Sequence, residues 1–344
     1  MPKYAILVLP AANRVYTDNS VRLMRAELAV FGTSVLESDV HQPAEESIAG
    51  VDYLTFHTEK LSDRDISFIS NLSSMYALFE ITDGLFRPIE IDRLDRFDSD
   101  LLTIQKYPGK TNELFTKLLL NVTALGSAEP DALLDRPLRV LDPLCGRGTT
   151  LNQAMMYGFD ACGVETASKD FDEYERFIRT WLKNKRVKHR ADSGQVRKHK
   201  AKVGRRLNIE YGVDREQYKA GNTRELSYVN ADTLACTEFF RPRSFDLIVT
   251  DAPYGVAHGS RRGATGTPSR RPLDLLTDAI PAWLRLLRPG GAIGISWNTY
   301  VLRKDDLIAL LGDAGLEIAH GEYEFAHRVD QAITRDLVVA RKPG

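Results

Sequence analysis

Arg139-Val140-Leu141-Asp142 runs straight into Pro143-Leu144-Cys145-Gly146-Arg147-Gly148-Thr149, and this stretch restricts the possible folds more than any other. A short apolar run followed by closely spaced glycines and a helix-compatible segment reads as a strand entering a loop whose backbone can approach a ligand. The next apolar run, residues 161–165, ends on the carboxylate of Glu165. Runs at 245–250 and 291–297 are continuous rather than alternating, as strands covered on both faces must be. The chain is therefore predicted to build an α/β, Rossmann-like parallel sheet. After a helix over 307–314, residues 317–325 and 332–340 predict two long strands in an antiparallel C-terminal hairpin.

A length of 344 residues suggests two domains. Residues 1–98 predict a small α+β domain, with strands at 4–9, 51–57 and 76–81 and an amphipathic helix at 21–31. The charged segment 92–100 lacks apolar periodicity and is the expected linker. In the second domain, 99–344, a strand is predicted at 101–107, then a turn at Pro108-Gly109. A helix follows, capped by Thr111 or Asn112, with Leu114, Phe115, Leu118 and Leu119 along one face. The apolar run near the N-terminus is too short for a signal peptide or a membrane span. Cys145, Cys162 and Cys236 lack metal-ligand or disulfide-framework spacing, so no metal is expected and a reduced cytoplasmic setting fits. No membrane partner is implied, and oligomeric state leaves no signal in the sequence.

The Gly loop lacks the third glycine of a dinucleotide fingerprint: Leu151 stands where it would fall. A phosphate-free adenosine ligand suits such a loop better, and S-adenosyl-L-methionine is the expected cofactor. Glu165 would accept its ribose hydroxyls, and Asp142 would face its cationic methionine end. Cys145, Gly146, Gly148 and Thr149 would line it. Asp232 reads equally as an acceptor for the adenine amine or as a helix cap. Thr111 and Asn112 open a helix whose N-terminus could hold the cofactor's carboxylate, or simply form a turn.

Asp251-Ala252-Pro253-Tyr254 follows the 245–250 run, at the strand end where ligands sit in such sheets. An exocyclic base amine is a weak nucleophile because its lone pair is delocalised into the ring. Asp251 and the Ala252 carbonyl offer acceptors for it, Pro253 stiffens the loop, and Tyr254 offers a face for a flipped base.

At these residues the chain resembles the amino-methyltransferases that carry an (Asp/Asn/Ser)-Pro-Pro-Tyr motif. Within them it is most similar to the tRNA guanine-N2 methyltransferases that join a THUMP-type domain to a class I catalytic domain. The resemblance covers about residues 100–344. It implies S-adenosylmethionine bound by Asp142, Gly146, Gly148 and Glu165, and a target base held by Asp251 to Tyr254. Ala252 replaces the first proline while preserving the backbone carbonyl, and the N-terminal region is shorter than a full THUMP region.

Residues 1–100 hold 17 acids against 9 bases, whereas 183–206 hold 11 bases against one acid. That basic stretch falls in an expected insertion at about 168–222, after a helix carrying Phe171, Tyr174, Phe177, Ile178 and Trp181. With Arg261-Arg262 and Arg270-Arg271 it predicts contact with a polyanion. tRNA or another RNA is the first expected partner and DNA the second. A DNA adenine-N6 methyltransferase shares the motif order. A noncatalytic nucleic-acid-binding protein is the third reading, opposed by the intact Asp251 and Tyr254.

Overall fold

The computed structural model describes residues 1–9, 14–198, 201–253 and 272–344. The first unit comprises β1 (Lys3–Val8), α1 (Arg14–Ser34), β2 (His41–Ile48), β3 (Val51–His57), α2 (Asp63–Ile69), β4 (Met75–Thr82) and β5 (Leu85–Ile89). They form an antiparallel sheet in the order β2-β3-β1-β4-β5. The predicted strands are its inner three. The edge strands β2 and β5 contain no buried residue, so burial imposed no apolar alternation on their sequences.

Beyond it come α3 (Asp100–Thr103), α4 (Glu113–Leu125), α5 (Ala132–Asp135), β6 (Arg139–Asp142), α6 (Thr149–Met156), β7 (Asp160–Glu165) and α7 (Ser168–Asn184). Next are β8 (His189–Lys198), β9 (Ala201–Tyr211), α8 (Arg215–Lys219), β10 (Arg224–Asn230), a 3-10 helix (Thr233–Glu238) and β11 (Phe245–Asp251). The chain closes with α9 (Pro272–Leu286), β12 (Leu287–Asn298), α10 (Lys304–Asp313), β13 (Glu317–Ala319), β14 (His327–Arg328) and β15 (Thr334–Arg341). The large sheet runs β13-β15-β12-β11-β6-β7-β10-β9-β8, with β14 paired to β15. Strands β10, β7, β6, β11 and β12 are parallel, and β15 lies antiparallel between β12 and β13. This is a Rossmann-like sheet with an antiparallel C-terminal edge. From β6 the chain moves outward to β7 and later returns to β11 on the other side, which creates a switch point between β6 and β11 where a crevice opens at the strand ends.

Two expectations need correction, and the expected linker proves anchored. Residues 101–107 are not a strand: α3 occupies their start, and of this run Leu101 is buried while Ile104 is 56% exposed. Short apolar runs do not separate strand from helix. The 92–100 segment is an anchored strap: Trp181 Nε1 donates to Asp100 (2.9 Å), and Lys185 pairs with Asp98 (2.7 Å) and Asp100 (2.6 Å). The first strand of the terminal hairpin stops at Ala319, well short of 325.

Helix α4 is buried from Phe115 to Leu125 because it lies between the two units. One apolar cluster runs from Ile6 and Phe31 through Phe115, Leu118 and Leu120 to Met155, while a second, around Leu141, Ile248, Trp283 and Trp297, includes the 3-10 helix, α9 and α10. A polar joint crosses the first cluster. Asn121 Nδ2 donates to Glu27 Oε1 (2.8 Å) and to the Asn71 carbonyl (2.8 Å), and Tyr157 donates to Asn121 Oδ1 (2.9 Å). Burial pushes the Glu27 carboxyl up, opposed by hydrogen bonds from Ser73 and Asn121. Substituting Asn121→Ala leaves these buried groups short of partners and is expected to cost roughly 2–4 kcal/mol. The readout is the urea midpoint followed by the three tryptophans, all in the second unit; an unchanged midpoint would mean the joint contributes nothing.

Candidate active site at the switch point of the sheet

A cleft of about 330 Å³ opens between the loops that follow β6 and β11, and Asp142, Gly146, Arg147, Thr149, Asp251 and Pro253 are among its lining residues. Gly146 and Gly148 have φ of +49° and +78°, in the left-handed region. Among the described residues nothing stands within 4 Å of where a Gly146 Cβ would lie, whereas one on Gly148 would meet the Tyr174 ring at 2.3 Å. The loop is fastened from behind, since Tyr228 donates its hydroxyl to the Gly146 carbonyl and the Gly146 amide donates to Glu165 Oε2 (3.1 Å). Glu165 Oε1 accepts from the Ala167 amide (2.7 Å), which leaves about half of the carboxylate's acceptor positions for a ligand.

Asp142 is 3% exposed, and its Oδ1 accepts from the Thr250 hydroxyl (2.8 Å) and the Leu144 amide (3.1 Å). Burial outweighs these bonds and pushes its carboxyl up to about 7. On the facing wall Arg147 stacks over the Tyr107 ring at 4.8 Å and pairs with Asp170 at 2.8 Å. The Tyr107 and Thr149 hydroxyl oxygens lie 3.2 Å apart. Cys145 is buried with its Sγ packed 2.6 Å from where a Cβ on Gly163 would stand, and burial pushes its thiol up.

At the end of β11, Thr111 donates to Asp251 Oδ2 (2.6 Å), Ser296 donates to Oδ1, and Arg335 approaches Oδ2 at 3.5 Å. The Ala252 amide donates to the Ser296 carbonyl (2.8 Å), which fixes the loop after Asp251. Pro253 is exposed. Tyr254, Arg261-Arg262 and Arg270-Arg271 lie outside the described residues.

Thr111 serves Asp251, and Asn112 caps α4 by accepting from the Leu114 and Phe115 amides (2.9 and 3.2 Å). Two of the helix-opening amides, those of Leu114 and Phe115, are thus met by the helix's own cap. Asp232 is exposed and accepts from the Leu234 amide (2.9 Å) through Oδ1, capping the 3-10 helix. Ser296 and Arg335 carry no mark in the sequence, since they lie far along the chain from Asp251 and within strands that read as apolar. Tyr107, Arg147 and Asp170 also went unmarked as a group, because stacking between separate loops has no periodic signature.

The basic stretch is no loose insertion. It includes the end of α7 and the β8–β9 hairpin, which extends the sheet beyond β10. Several of its charges are met locally: Arg205 by Asp172 (2.7 Å) and Glu175 (3.6 Å), Arg206 by Glu225 (3.7 Å). Arg205 pairs in register with Asn230, the last residue of β10, so residues 201–204 and their partners 196–198 continue past the end of the sheet that carries the cleft. At about 3.3 Å per residue the overhang is about 13 Å. Arg197, on this tip, is exposed.

The UPF0020 family model, described as RMKL-like, methyltransferase domain, matches residues 132–265. No curated protein matches the chain. Among solved structures, a TehB-like SAM-dependent methyltransferase from Corynebacterium glutamicum shares 16% identity over 62% of this chain and 84% of its own, with a TM-score of 0.35. Magnesium protoporphyrin IX methyltransferase from Synechocystis shares 13% over 69% and 86% (TM-score 0.38). An rRNA methylase from Streptococcus thermophilus shares 12% over 62% and 90% (TM-score 0.34).

The raised Asp142 carboxyl has a consequence for the free protein. A folded-state value above the ordinary 3.8 favours folding below about pH 4, and that contribution is lost as pH rises to about 7. The Asp142→Asn variant is expected to gain on wild type, by on the order of 3 kcal/mol, as pH rises across this window. Urea midpoints of the two proteins at each pH give the difference; a constant offset would contradict it.

Proposed function

We propose that this class I, S-adenosylmethionine-dependent methyltransferase methylates the exocyclic amine of a nucleic-acid base, with guanine N2 in tRNA or another RNA as its acceptor. The observation that carries the reading is Asp251: a carboxylate at the carboxyl end of β11, held by Thr111 and Ser296, in the same cleft as the glycine loop.

The cleft residues fit the methyl donor. Asp142 offers a buried carboxyl to the cationic end, the open space at Gly146 lets a ligand lie against the backbone, and Glu165 retains acceptor positions for hydroxyls. When bound, S-adenosylmethionine supplies a methyl group activated by its sulfonium, whose C–S bond breaks, with the electron pair going to sulfur, as the N–C bond forms. The chain's own part is positioning. Asp251 and the Ala252 carbonyl accept the two amine hydrogens, which draws the nitrogen lone pair out of the ring and aims it at the methyl carbon. The surplus proton of the methylated amine leaves through Asp251 to solvent. Pro253 limits the loop's freedom, and Tyr254 is assigned the stacking face on sequence grounds.

A nucleic-acid acceptor is supported by the hairpin tip. The segment 197–202 carries four Lys or Arg residues, and the strands that hold it continue beyond the cleft end of the sheet, where the backbone flanking an extruded nucleotide would pass.

Labelled S-adenosylmethionine incubated with separate pools of tRNA, ribosomal RNA and duplex DNA, followed by mass spectrometry of the nucleosides, is expected to give N2-methylguanosine from RNA. N6-methyladenine in DNA alone would select the DNA reading instead. Asp251→Asn and Asp251→Ala should lower kcat by roughly 10²- to 10³-fold, with cofactor affinity and the melting temperature measured alongside; an Asp251→Ala protein of full activity would exclude the assignment. Replacing 197–202 with a two-residue turn is expected to leave cofactor affinity unchanged. The same variant should weaken RNA binding and reduce the slope of log affinity against log salt by about 2 to 4, as read in filter-binding titrations.

A further inference from the structure

A second cavity, of about 270 Å³, adjoins the first and shares Tyr107 and Thr111 with it. Tyr16 of α1, Lys110, Glu113, His327 and Arg335 complete the part of its wall that matters here. His327 is 3% exposed, with its ring 4.9 Å from that of Phe115 and edge-on to Tyr16 at 6.0 Å. Its Nδ1 lies 3.0 Å from the Phe325 carbonyl oxygen. A carbonyl can only accept, so Nδ1 carries the proton and Nε2 presents a lone pair. Burial, reinforced by Arg335 and Arg22, pushes the imidazole down to about 4, so the ring is neutral at pH 7. Nε2 has no hydrogen-bond partner among the described residues.

A buried acceptor without a donor is unfavourable, and such atoms commonly mark a place that a ligand completes. This one is tied to the reaction site by the sheet: His327 and Arg335 are register partners across β14 and β15, and Arg335 reaches Asp251. Resting on the reading of Asp251 as the group that holds an exocyclic amine, we propose that this cavity receives the base and that His327 Nε2 is its specificity-determining contact, accepting the ring N–H beside the reacting amine. Guanine meets that demand, because its 2-amino group is flanked by N1–H. In adenine and cytosine the ring nitrogen beside the amine is a bare acceptor, which would set one lone pair against another. Lys110 and Arg335 are cations in the same wall that suit guanine O6.

The test uses the full chain with S-adenosylhomocysteine and two probes, guanosine 5′-monophosphate and 2-aminopurine riboside 5′-monophosphate. The second keeps the 2-amino group and lacks both the N1–H and O6, so the His327 variants separate the two contacts. Guanosine monophosphate is expected to move the ¹⁵N resonance of His327 Nε2 and to bind about 10- to 100-fold more tightly than the 2-aminopurine probe. His327→Leu should narrow this preference to whatever O6 alone supplies, a several-fold drop in the ratio. His327→Gln, whose amide oxygen restores an acceptor, should recover part of the preference, and circular dichroism reports whether either variant is folded. Equal binding of both probes by wild type, or no guanosine-induced change at Nε2, overturns the inference. RNA methylation measured in parallel separates the two readings. Transfer to guanine that is indifferent to His327→Leu refutes this contact alone, whereas no transfer to any exocyclic amine refutes the reading on which it rests.

Discussion

Four separate stretches of chain converge on the Asp251 carboxylate: β11 itself, Thr111 ahead of α4, Ser296 on β12 and Arg335 on β15. Arg335 is 3% exposed, and a guanidinium removed from water to that degree is tolerated only with an anion and good packing beside it. Asp251 supplies charge, and Phe115 supplies a ring face at 4.8 Å. The terminal strand is therefore more than an edge. By inserting between β12 and β13 it delivers the cation that fixes the Asp251 carboxylate, which on the proposed reading is thereby oriented before any substrate arrives. Such preorganisation is what electrostatic assistance to methyl transfer needs, since a carboxylate that had to reorient during reaction would return part of its stabilisation.

The glycine loop is governed from behind as much as by its ligand. Gly148 is required both by its left-handed backbone and by the Tyr174 ring, and Tyr174 is itself held by donating to Asn152 Oδ1 at 2.9 Å. Tyr228 grips the Gly146 carbonyl from β10. The aromatic residues of α7, which in sequence look like a prelude to the basic stretch, are the support on which the loop rests. Glycine here answers two demands at once, close approach of a ligand on one side and close approach of the protein on the other.

The parts legible in the sequence are those where one physical pressure acts on consecutive residues. Double-sided burial made β6, β7, β11 and β12 continuous apolar runs, and left-handed backbone called for glycine at 146 and 148. What stayed hidden depends on juxtaposition. Ser296 and Arg335 act on Asp251 from distant strands, and the exposed edges β2 and β5 never had to alternate. Asp232 shows the opposite hazard. Aspartate before a helical turn is favoured by capping alone, and the cap bond is present, so its residue type does not by itself point to a ligand. The cationic stretch was legible as charge but not as a hairpin, because β8 is largely polar and the buried apolar face of β9, Leu207, Ile209 and Tyr211, begins only after the last cation.

The N-terminal unit belongs to the site as well as to the fold. Tyr16 walls the second cavity, Arg22 of the same helix donates to the Ala326 carbonyl one residue from His327, and the core beneath is continuous into α4. Its acidity then has a use on the proposed reading. An N-terminal unit of net negative charge and a cationic hairpin tip that continues past β10 would give a polyanion a preferred side of approach, since like charge would repel the backbone from the first and opposite charge hold it at the second. A base extruded from a strand held at the hairpin would enter with its phosphates toward β8–β9 and its edge toward α1. The small unit's acidity thus works against binding by its own surface and in favour of orientation at its neighbour's.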